Sequence, residues 1–224
     1  MKRYLNFLDG RKCELSNIYA VASNYKKHAD EMGTTIPDEP TIFLKPTSAY
    51  ISDGGTILLP KFSNEIHHEV ELVVVIGKDG NNVSEEDAVN YIAGYAVGID
   101  VTLRDTQTKA KKEGKPWGIA KGFYTSAPIS SIVPATEFNG NIPDFDLLLK
   151  VNGEIRQSAN TRMMERSVAQ LVSFISKVFS LNEGDCIFTG TPEGVGKIQD
   201  GDTIFAELVG FVSLTCFVAN KLEG

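Results

Sequence analysis

The chain has 224 residues, of which 42% are hydrophobic and 23% charged, which fits one globular domain over residues 1–224. Its net charge of −7 disfavours nucleic acid as a partner, because a negative surface repels phosphates. Three widely spaced cysteines form neither a disulfide framework nor a zinc motif. No apolar run is long enough to span a membrane and the N-terminus lacks a signal-peptide core, so we expect a cytoplasmic protein without membrane contact.

The first third of the chain predicts a strand followed by a short helix. Alternating apolar residues indicate a strand over residues 17–23, and Ser23 or Asn24 is suited to cap a helix over residues 25–32. Gly33 then ends that helix. Beyond a proline-containing loop, further short strands are predicted at residues 42–44 and 56–59.

The strongest strand signal is the valine-rich run over residues 70–76. Ser84 and Asp87 resemble a capping box, which predicts a helix over residues 85–91. An apolar run over residues 93–101 predicts a buried strand, and a polar helix is expected over residues 103–112.

The second half adds a hairpin, one amphipathic helix and more strands. The turn dipeptide Asn152-Gly153 joins strands at residues 145–151 and 154–157. A helical apolar face comprises Val168, Leu171, Val172, Ile175 and Val178. The remaining strands are predicted at residues 187–189, 204–208 and 214–218. Strands outnumber helices without regular alternation, which predicts an α+β fold with a mixed sheet.

Three carboxylates suggest a cation site. Glu69 and Glu71 share one face of the predicted strand, and burying both unpaired would cost several kcal/mol each. The alternative is a solvated strand end. Asp100 interrupts an apolar run, where it serves either as a third ligand or as a helix cap. A site of oxygen ligands alone favours Mg²⁺, Mn²⁺ or Ca²⁺ over Zn²⁺.

A histidine and a glutamate stand one helical turn apart. His28 and Glu31 are neighbours on the predicted helix, and such a pair can activate a water molecule. The alternative is an exposed ion pair that stabilises the helix by a few tenths of a kcal/mol. From these two residues alone, this alternative is the favoured interpretation. His67 and His68 precede Glu69, and we interpret His67 as a partner of the ligands rather than a ligand.

A glycine-rich segment covers residues 189–197. It does not match a Walker A loop, because Thr191 and Ile198 replace the glycine and hydroxyl residue that this motif requires. Its backbone N–H groups are able to hold a carboxylate. A plain turn at the end of a strand is the competing interpretation.

Taken in order, these segments resemble the fumarylacetoacetate hydrolase family, in particular its small acylpyruvase-like members. The match covers nearly the whole chain. It rests on Asn24-Tyr25 with His28 and Glu31, Phe43-Leu44-Lys45-Pro46, His68-Glu69-Val70-Glu71-Leu72, Asp100 with Arg104-Asp105, Lys121, Val151-Asn152-Gly153 and the glycine-rich run from Gly190 to Gly196.

The resemblance implies a mixed β-sandwich or β-roll with a few peripheral helices, usually assembled as a homodimer. It also implies a role for each matching residue. The metal ligands would be Glu69, Glu71 and Asp100, the water-activating pair His28 and Glu31 on a segment that can act as a lid, the residue stabilising negative charge Lys121, and the substrate-binding residues Arg104, Gln107 and Thr191.

The activity implied is hydrolysis of acylpyruvates at Mg²⁺ or Mn²⁺, with Ca²⁺ also compatible, through a pyruvate enolate that would serve oxaloacetate decarboxylation too. Two alternatives stay open: an isomerase or tautomerase of enolisable oxo diacids, and a non-catalytic sheet-rich dimer. Where the family often has Gly and a basic residue, this chain has Ala22 and Ser23. The loss of that charge leaves recognition of a second substrate carboxylate open.

Overall fold

The computed structural model describes residues 2–220. The helices within that range are α1 Lys26–Glu31, α2 Arg104–Lys112, α3 Gly118–Lys121 and α4 Val168–Val178. The strands are β1 Tyr4–Asn6, β2 Lys12–Glu14, β3 Ile18–Ala22, β4 Thr41–Lys45, β5 Tyr50–Ile51, β6 Thr56–Leu59, β7 Ile66–His68, β8 Val70–Ile76, β9 Ile92–Ile99, β10 Thr102–Leu103, β11 Ala127–Pro128, β12 Val133–Pro134, β13 Asp146–Val151, β14 Glu154–Asn160, β15 Cys186–Phe188, β16 Gly196–Lys197, β17 Thr203–Leu208 and β18 Val212–Asn220.

A six-stranded mixed sheet in the order β12-β9-β8-β15-β3-β4 forms the centre of the fold. All seven residues of β8 are buried, because both faces of this sheet are covered. Leu72 and Val74 point into one hydrophobic cluster, and Val73 and Val75 into the other. The continuous apolar run in the sequence is therefore explained by burial on two sides.

A five-stranded sheet in the order β14-β13-β17-β18-β6 covers one face of the central sheet. Inward residues such as Leu149, Ala206 and Leu214 join Leu72 and Val97 in a single core cluster. Burial alternates along β13, β17 and β18, since their other face is partly open. This is the sandwich-like α+β arrangement of mixed sheets that the sequence predicts.

The long helix α4 packs its apolar face into the same core. Its first turn carries a capping box, in which Ser167 accepts from the Gln170 N–H and the Gln170 side chain accepts from the Ser167 N–H. Val168, Leu171, Val172 and Ile175 are buried as predicted. The prediction for Val178 is wrong: it is 57% exposed, because α4 ends there and has left the core.

Two local predictions are corrected by the structure. The helix expected over residues 85–91 is only a 3₁₀ turn, Ala88–Tyr91, because the chain must enter β9 at Ile92. Ser84 accepts from the Asp87 N–H at 3.1 Å, which closes the turn before Ala88 but does not cap the 3₁₀ turn itself. Neither Ser23 nor Asn24 caps α1, whose N-cap residue, Tyr25, makes no side-chain hydrogen bond there.

Asn24 instead connects three segments next to the cleft described below. Its side-chain amide donates to the carbonyls of Thr189 at 2.9 Å and Arg166 at 3.0 Å. Its side-chain oxygen accepts from the Arg166 N–H at 2.9 Å. These buried bonds fix the chain immediately before α1.

The remaining predicted strands and the helix over residues 103–112 are present within two residues of their expected limits, although β14 extends to Asn160. Cys186 and Cys216 are buried core residues, as expected. No helix among residues 2–220 is long and apolar enough to cross a membrane. The single domain over residues 1–224 stays a prediction, and residues 1 and 221–224 lie outside the described range.

Candidate metal centre and cleft

Three buried carboxylates come together where β8 meets β9. Glu69 lies between β7 and β8, Glu71 lies within β8, and Asp100 follows the end of β9. The antiparallel register pairs Val70 with Ile99, and the Asp100 N–H donates to the Glu69 carbonyl at 2.8 Å. One carboxylate oxygen from each acid lies within 4.8 Å of the other two. The solvated strand end and the helix cap considered from sequence do not describe these buried residues.

Positive side chains surround two of these carboxylates. The Lys121 ammonium donates to Glu69 Oε2 at 2.7 Å and to Asp100 Oδ2 at 2.6 Å. The Arg104 guanidinium pairs with the other oxygen of Glu69. Burial alone would lower the pKa of Lys121, but Asp100 and Glu69 outweigh it and hold that pKa above its usual value.

Lys45 is a member of this cluster that our interpretation of the site residues did not include. Its ammonium lies 2.7 Å from Asp100 Oδ1 and is buried at the end of β4. The sequence places it in Phe43-Leu44-Lys45-Pro46, a segment that carries the family resemblance. That membership is the one sequence signal for it, because no local pattern shows that the end of β4 lies beside Asp100.

Glu71 differs from its two neighbours in having no ion pair among residues 2–220. Its Oε2 accepts only the Gly190 N–H, at 2.7 Å. Burial, with the charges of Asp100 and Glu69, raises the pKa of Glu71 well above its usual value. Burial would also raise the pKa of Glu69, but Lys121 and Arg104 outweigh it and bring that pKa well below the usual range.

This arrangement fits a divalent cation. A buried carboxylate without a positive partner, next to two more carboxylates, is costly unless a proton or a cation neutralises it. The cluster offers oxygen atoms alone, since no histidine nitrogen among the described residues joins it. Hard cations such as Mg²⁺, Mn²⁺ and Ca²⁺ prefer such ligands.

His28 and Glu31 meet beside this cluster. His28 Nδ1 lies 3.2 Å from Glu31 Oε2, and His28 is only 8% exposed, so the pair is not the exposed helical contact considered from sequence. Glu31 also accepts from the Gly194 N–H at 3.2 Å. The glycine-rich segment thus holds two protein carboxylates, Glu31 through Gly194 and Glu71 through Gly190.

A cleft opens over Glu69 and Lys121. Arg104 lines it, and its guanidinium donates to Gln107 Oε1 at 2.7 Å. Ser23 also lines it, in a left-handed backbone conformation with φ of 58°. The lining residues are Ala22, Ser23, His28, Met32, Thr34, Phe43, Glu69, Arg104, Gln107, Lys111, Trp117, Lys121 and Thr191. All residues predicted to bind substrate are therefore in one place.

Gln157 is a supporting residue that the sequence analysis missed. Its side-chain oxygen accepts from the Val70 N–H at 3.0 Å and lies 3.0 Å from His68 Nδ1. Its amide donates to Thr191 Oγ1 at 2.9 Å. A lone glutamine in a polar strand carries no sequence signal for this role. His67 contacts Glu65 rather than the carboxylate cluster.

Comparison with known proteins points to one family. The family model "Fumarylacetoacetate (FAA) hydrolase C-terminal" matches residues 17–219. The chain is 48% identical over 209 residues to "Oxaloacetate tautomerase FAHD1, mitochondrial" of Arabidopsis thaliana, covering 93% of each protein.

Two solved structures are similar in fold and sequence. Fumarylpyruvate hydrolase from Pseudomonas aeruginosa, in complex with Mn²⁺ and pyruvate, has a TM-score of 0.92 and 36% identity, covering 98% of this chain and 97% of that one. The 2-hydroxyhepta-2,4-diene-1,7-dioate isomerase from Mycobacterium marinum has a TM-score of 0.81 and 36% identity, covering 93% and 76%.

The raised pKa of Glu71 predicts that cation binding releases a proton. Below that pKa the metal-free carboxyl is protonated, so a bound cation must displace the proton, and affinity falls as the pH falls. Calorimetry with Mn²⁺ in buffers of different ionisation enthalpy measures the release. We expect up to about one proton per Mn²⁺ at the acidic end of the range, since one carboxyl is shifted. Glu71→Gln is the control, and wild-type affinity independent of pH contradicts the prediction.

Proposed function

The chain belongs to the fumarylacetoacetate hydrolase family, and from this membership we propose that it enolises a 2-oxo acid at a divalent cation, with oxaloacetate tautomerisation as its reaction. The observation that carries the proposal is the buried Lys121 ammonium, which joins two carboxylates of the cation cluster at the floor of an open cleft. The name of the Arabidopsis relative supports the choice of oxaloacetate.

Glu69, Glu71 and Asp100 are proposed to hold the cation, Mg²⁺ or Mn²⁺, with Ca²⁺ also compatible with oxygen ligands. Such a cation acts as a Lewis acid toward the oxygens of a 2-oxo acid. The Mn²⁺ and pyruvate in the Pseudomonas hydrolase support this pairing of cation and substrate class.

Lys121 is proposed to stabilise the enolate oxygen. Its ammonium is already held by three oxygens, those of Glu69, Asp100 and Thr102, the last at 2.6 Å. A fixed, buried positive charge stabilises developing negative charge more strongly than a solvated one. Arg104, held by Gln107 in the same cleft, is suited to bind a substrate carboxylate, and Thr191 lines that cleft too.

His28 is proposed to move the proton. Its Nδ1 is engaged by Glu31, which leaves Nε2 as the nitrogen able to accept a proton from carbon 3 of oxaloacetate. The protonated His28 then returns the proton to the enolate oxygen through a water molecule, which completes the enol and restores neutral His28, while Lys121 keeps its charge. The reaction is an isomerisation, so no atom is gained or lost.

Hydrolysis of acylpyruvates is the second candidate, and the pairing of the buried His28 with Glu31 favours it. The same His28 nitrogen would remove a proton from water, which attacks the distal carbonyl and releases a carboxylic acid and pyruvate. Loss of CO₂ from oxaloacetate would need the enolate but no water. The Mycobacterium relative supports a wider isomerase activity on oxo diacids.

The non-catalytic alternative is disfavoured, because the carboxylate cluster and its cationic neighbours are all present. We also propose that the chain forms a homodimer, as the family resemblance implies, and that residues 1–224 form one domain.

A substrate panel tests the reaction directly. The protein with Mg²⁺ or Mn²⁺ is given enol and keto oxaloacetate, acetylpyruvate and fumarylpyruvate, and NMR follows the products. We expect interconversion of the oxaloacetate tautomers above the uncatalysed rate, abolished by EDTA and restored by Mn²⁺. Pyruvate with acetate or fumarate would instead identify hydrolysis as the main activity. Turnover that persists unchanged after complete removal of the metal contradicts the proposal.

Replacing Glu31 by Gln tests the proton-transfer pair. The amide keeps the shape but cannot stabilise a protonated His28, so kcat should fall by about 10²-fold. The affinity for Mn²⁺ should stay unchanged, because Glu31 is not in the carboxylate cluster. Glu193→Gln, at the neighbouring surface pair with Lys27, is the matched control and should keep its activity. Full activity in Glu31→Gln would rule out this role for the pair.

A further inference from the structure

Lys45 is the most completely buried ammonium in a cluster whose proposed chemistry does not use it. It ends the edge strand β4, yet the residue is only 2% exposed. Its Nζ lies 2.7 Å from Asp100 Oδ1 and donates to the Ser126 carbonyl at 2.8 Å and to Ser126 Oγ at 3.2 Å. It also donates to the Lys121 carbonyl in a short contact.

The contacts of Lys45 favour its charged form. Burial lowers the pKa of Lys45, while the charge of Asp100, whose Oδ1 lies 2.7 Å away, opposes that shift. Nζ donates three hydrogen bonds, to the carbonyls of Lys121 and Ser126 and to Ser126 Oγ, since Ser126 Oγ donates its own hydrogen to the Lys121 carbonyl at 2.8 Å. A neutral amine has only two N–H groups, whereas an ammonium has three. Removing one partner of a buried ion pair is strongly destabilising, because it leaves the other charge uncompensated.

The two carboxylate oxygens of Asp100 face two different lysine side chains. Oδ1 faces Lys45 and Oδ2 faces Lys121. The Lys45 ammonium is also bound to the peptide carbonyl of Lys121 and to Ser126, so it is held by the backbone independently of Asp100. It therefore contacts both a proposed metal ligand and the main chain of the proposed enolate-stabilising residue.

We propose that Lys45 is a positioning residue: it places a positive charge beside Asp100 Oδ1, which accepts no hydrogen bond among the described residues, and it holds the Lys121 backbone in place. The proposal rests on the proposed function for its catalytic consequence, but its effect on cation binding does not depend on any substrate. Lys45 also weakens Asp100 as a ligand, because a positive charge beside a carboxylate reduces its attraction for a cation.

Loss of the Lys45 charge should strengthen Mn²⁺ binding but slow catalysis. Without the Lys45 charge, the site attracts a divalent cation more strongly, so the Kd for Mn²⁺ should fall. Asp100 and the Lys121 backbone lose a shared anchor, so kcat should fall as well. A general folding defect would instead weaken cation binding along with catalysis.

The experiment compares Lys45→Met with wild type, using calorimetry with Mn²⁺ alone and turnover of oxaloacetate. Methionine is unbranched and apolar and removes only the charge and the hydrogen bonds. We expect the Kd for Mn²⁺ to fall by about fivefold or more and kcat by about tenfold or more, for a unit charge within a few ångströms. Lys150→Met, on the outer face of β13 beside Phe205, is the matched control and should leave both values unchanged.

Lys45→Arg keeps the charge and should hold the Mn²⁺ Kd within about twofold of wild type, because the effect is electrostatic. If Lys45→Met does not fold, Lys45→Gln, which also removes the charge, should shift Kd and kcat in the same directions. Weaker Mn²⁺ binding in Lys45→Met, or unchanged values, overturns the proposal, as does Lys45→Arg behaving like Lys45→Met. If wild type turns over no substrate, the proposed function fails while the Mn²⁺ measurement still decides the role of Lys45.

Discussion

Three carboxylates held out of water within 4.8 Å of one another are the constraint on which the rest of the site depends. Their mutual repulsion and the cost of burial are tolerable only with compensating positive charge. Lys45, Lys121 and Arg104 compensate Asp100 and Glu69, each through a direct ion pair. Glu71 is left for a proton or a cation, which is why the cluster is suited to bind a divalent ion.

The fold creates this cluster by the pairing of β8 with β9. Because Val70 stands opposite Ile99, the residues that flank the pair, Glu69 and Asp100, come together at the end of the two strands. The covering sheet then contributes Gln157, and the segment after β15 contributes Gly190. The chemistry is thus assembled from segments far apart in the sequence around one strand pair.

The parts of the fold that sequence predicts well are those in which burial leaves a periodic or continuous pattern. Residues 70–76 are apolar because both faces of β8 are covered, and that pattern is readable without knowing the partners. The predicted helix over residues 85–91 is wrong: only a 3₁₀ turn over Ala88–Tyr91 forms, because the chain enters β9 at Ile92. Local signals cannot report such a tertiary limit.

For the candidate site, too, some residues are predictable from the sequence and others only from the folded chain. The family resemblance names the acids and the His28–Glu31 pair; the structure clusters the three acids and places Glu69 and His28 in one cleft. Lys45 and Gln157 are not predictable from local pattern, because each contacts a segment that does not pair with its own strand and that only the folded chain brings near. Their contacts, rather than their sequence neighbours, show what they support.

The most direct test of the central claim is an EPR titration with Mn²⁺, followed by addition of oxalate, a planar dianion that resembles the pyruvate enolate. The account predicts one Mn²⁺ per chain, whose spectrum changes when oxalate binds, and loss of that bound Mn²⁺ in Glu69→Gln. Absence of bound Mn²⁺ in the wild type, or a spectrum that oxalate leaves unchanged, would contradict a carboxylate site that receives a 2-oxo acid.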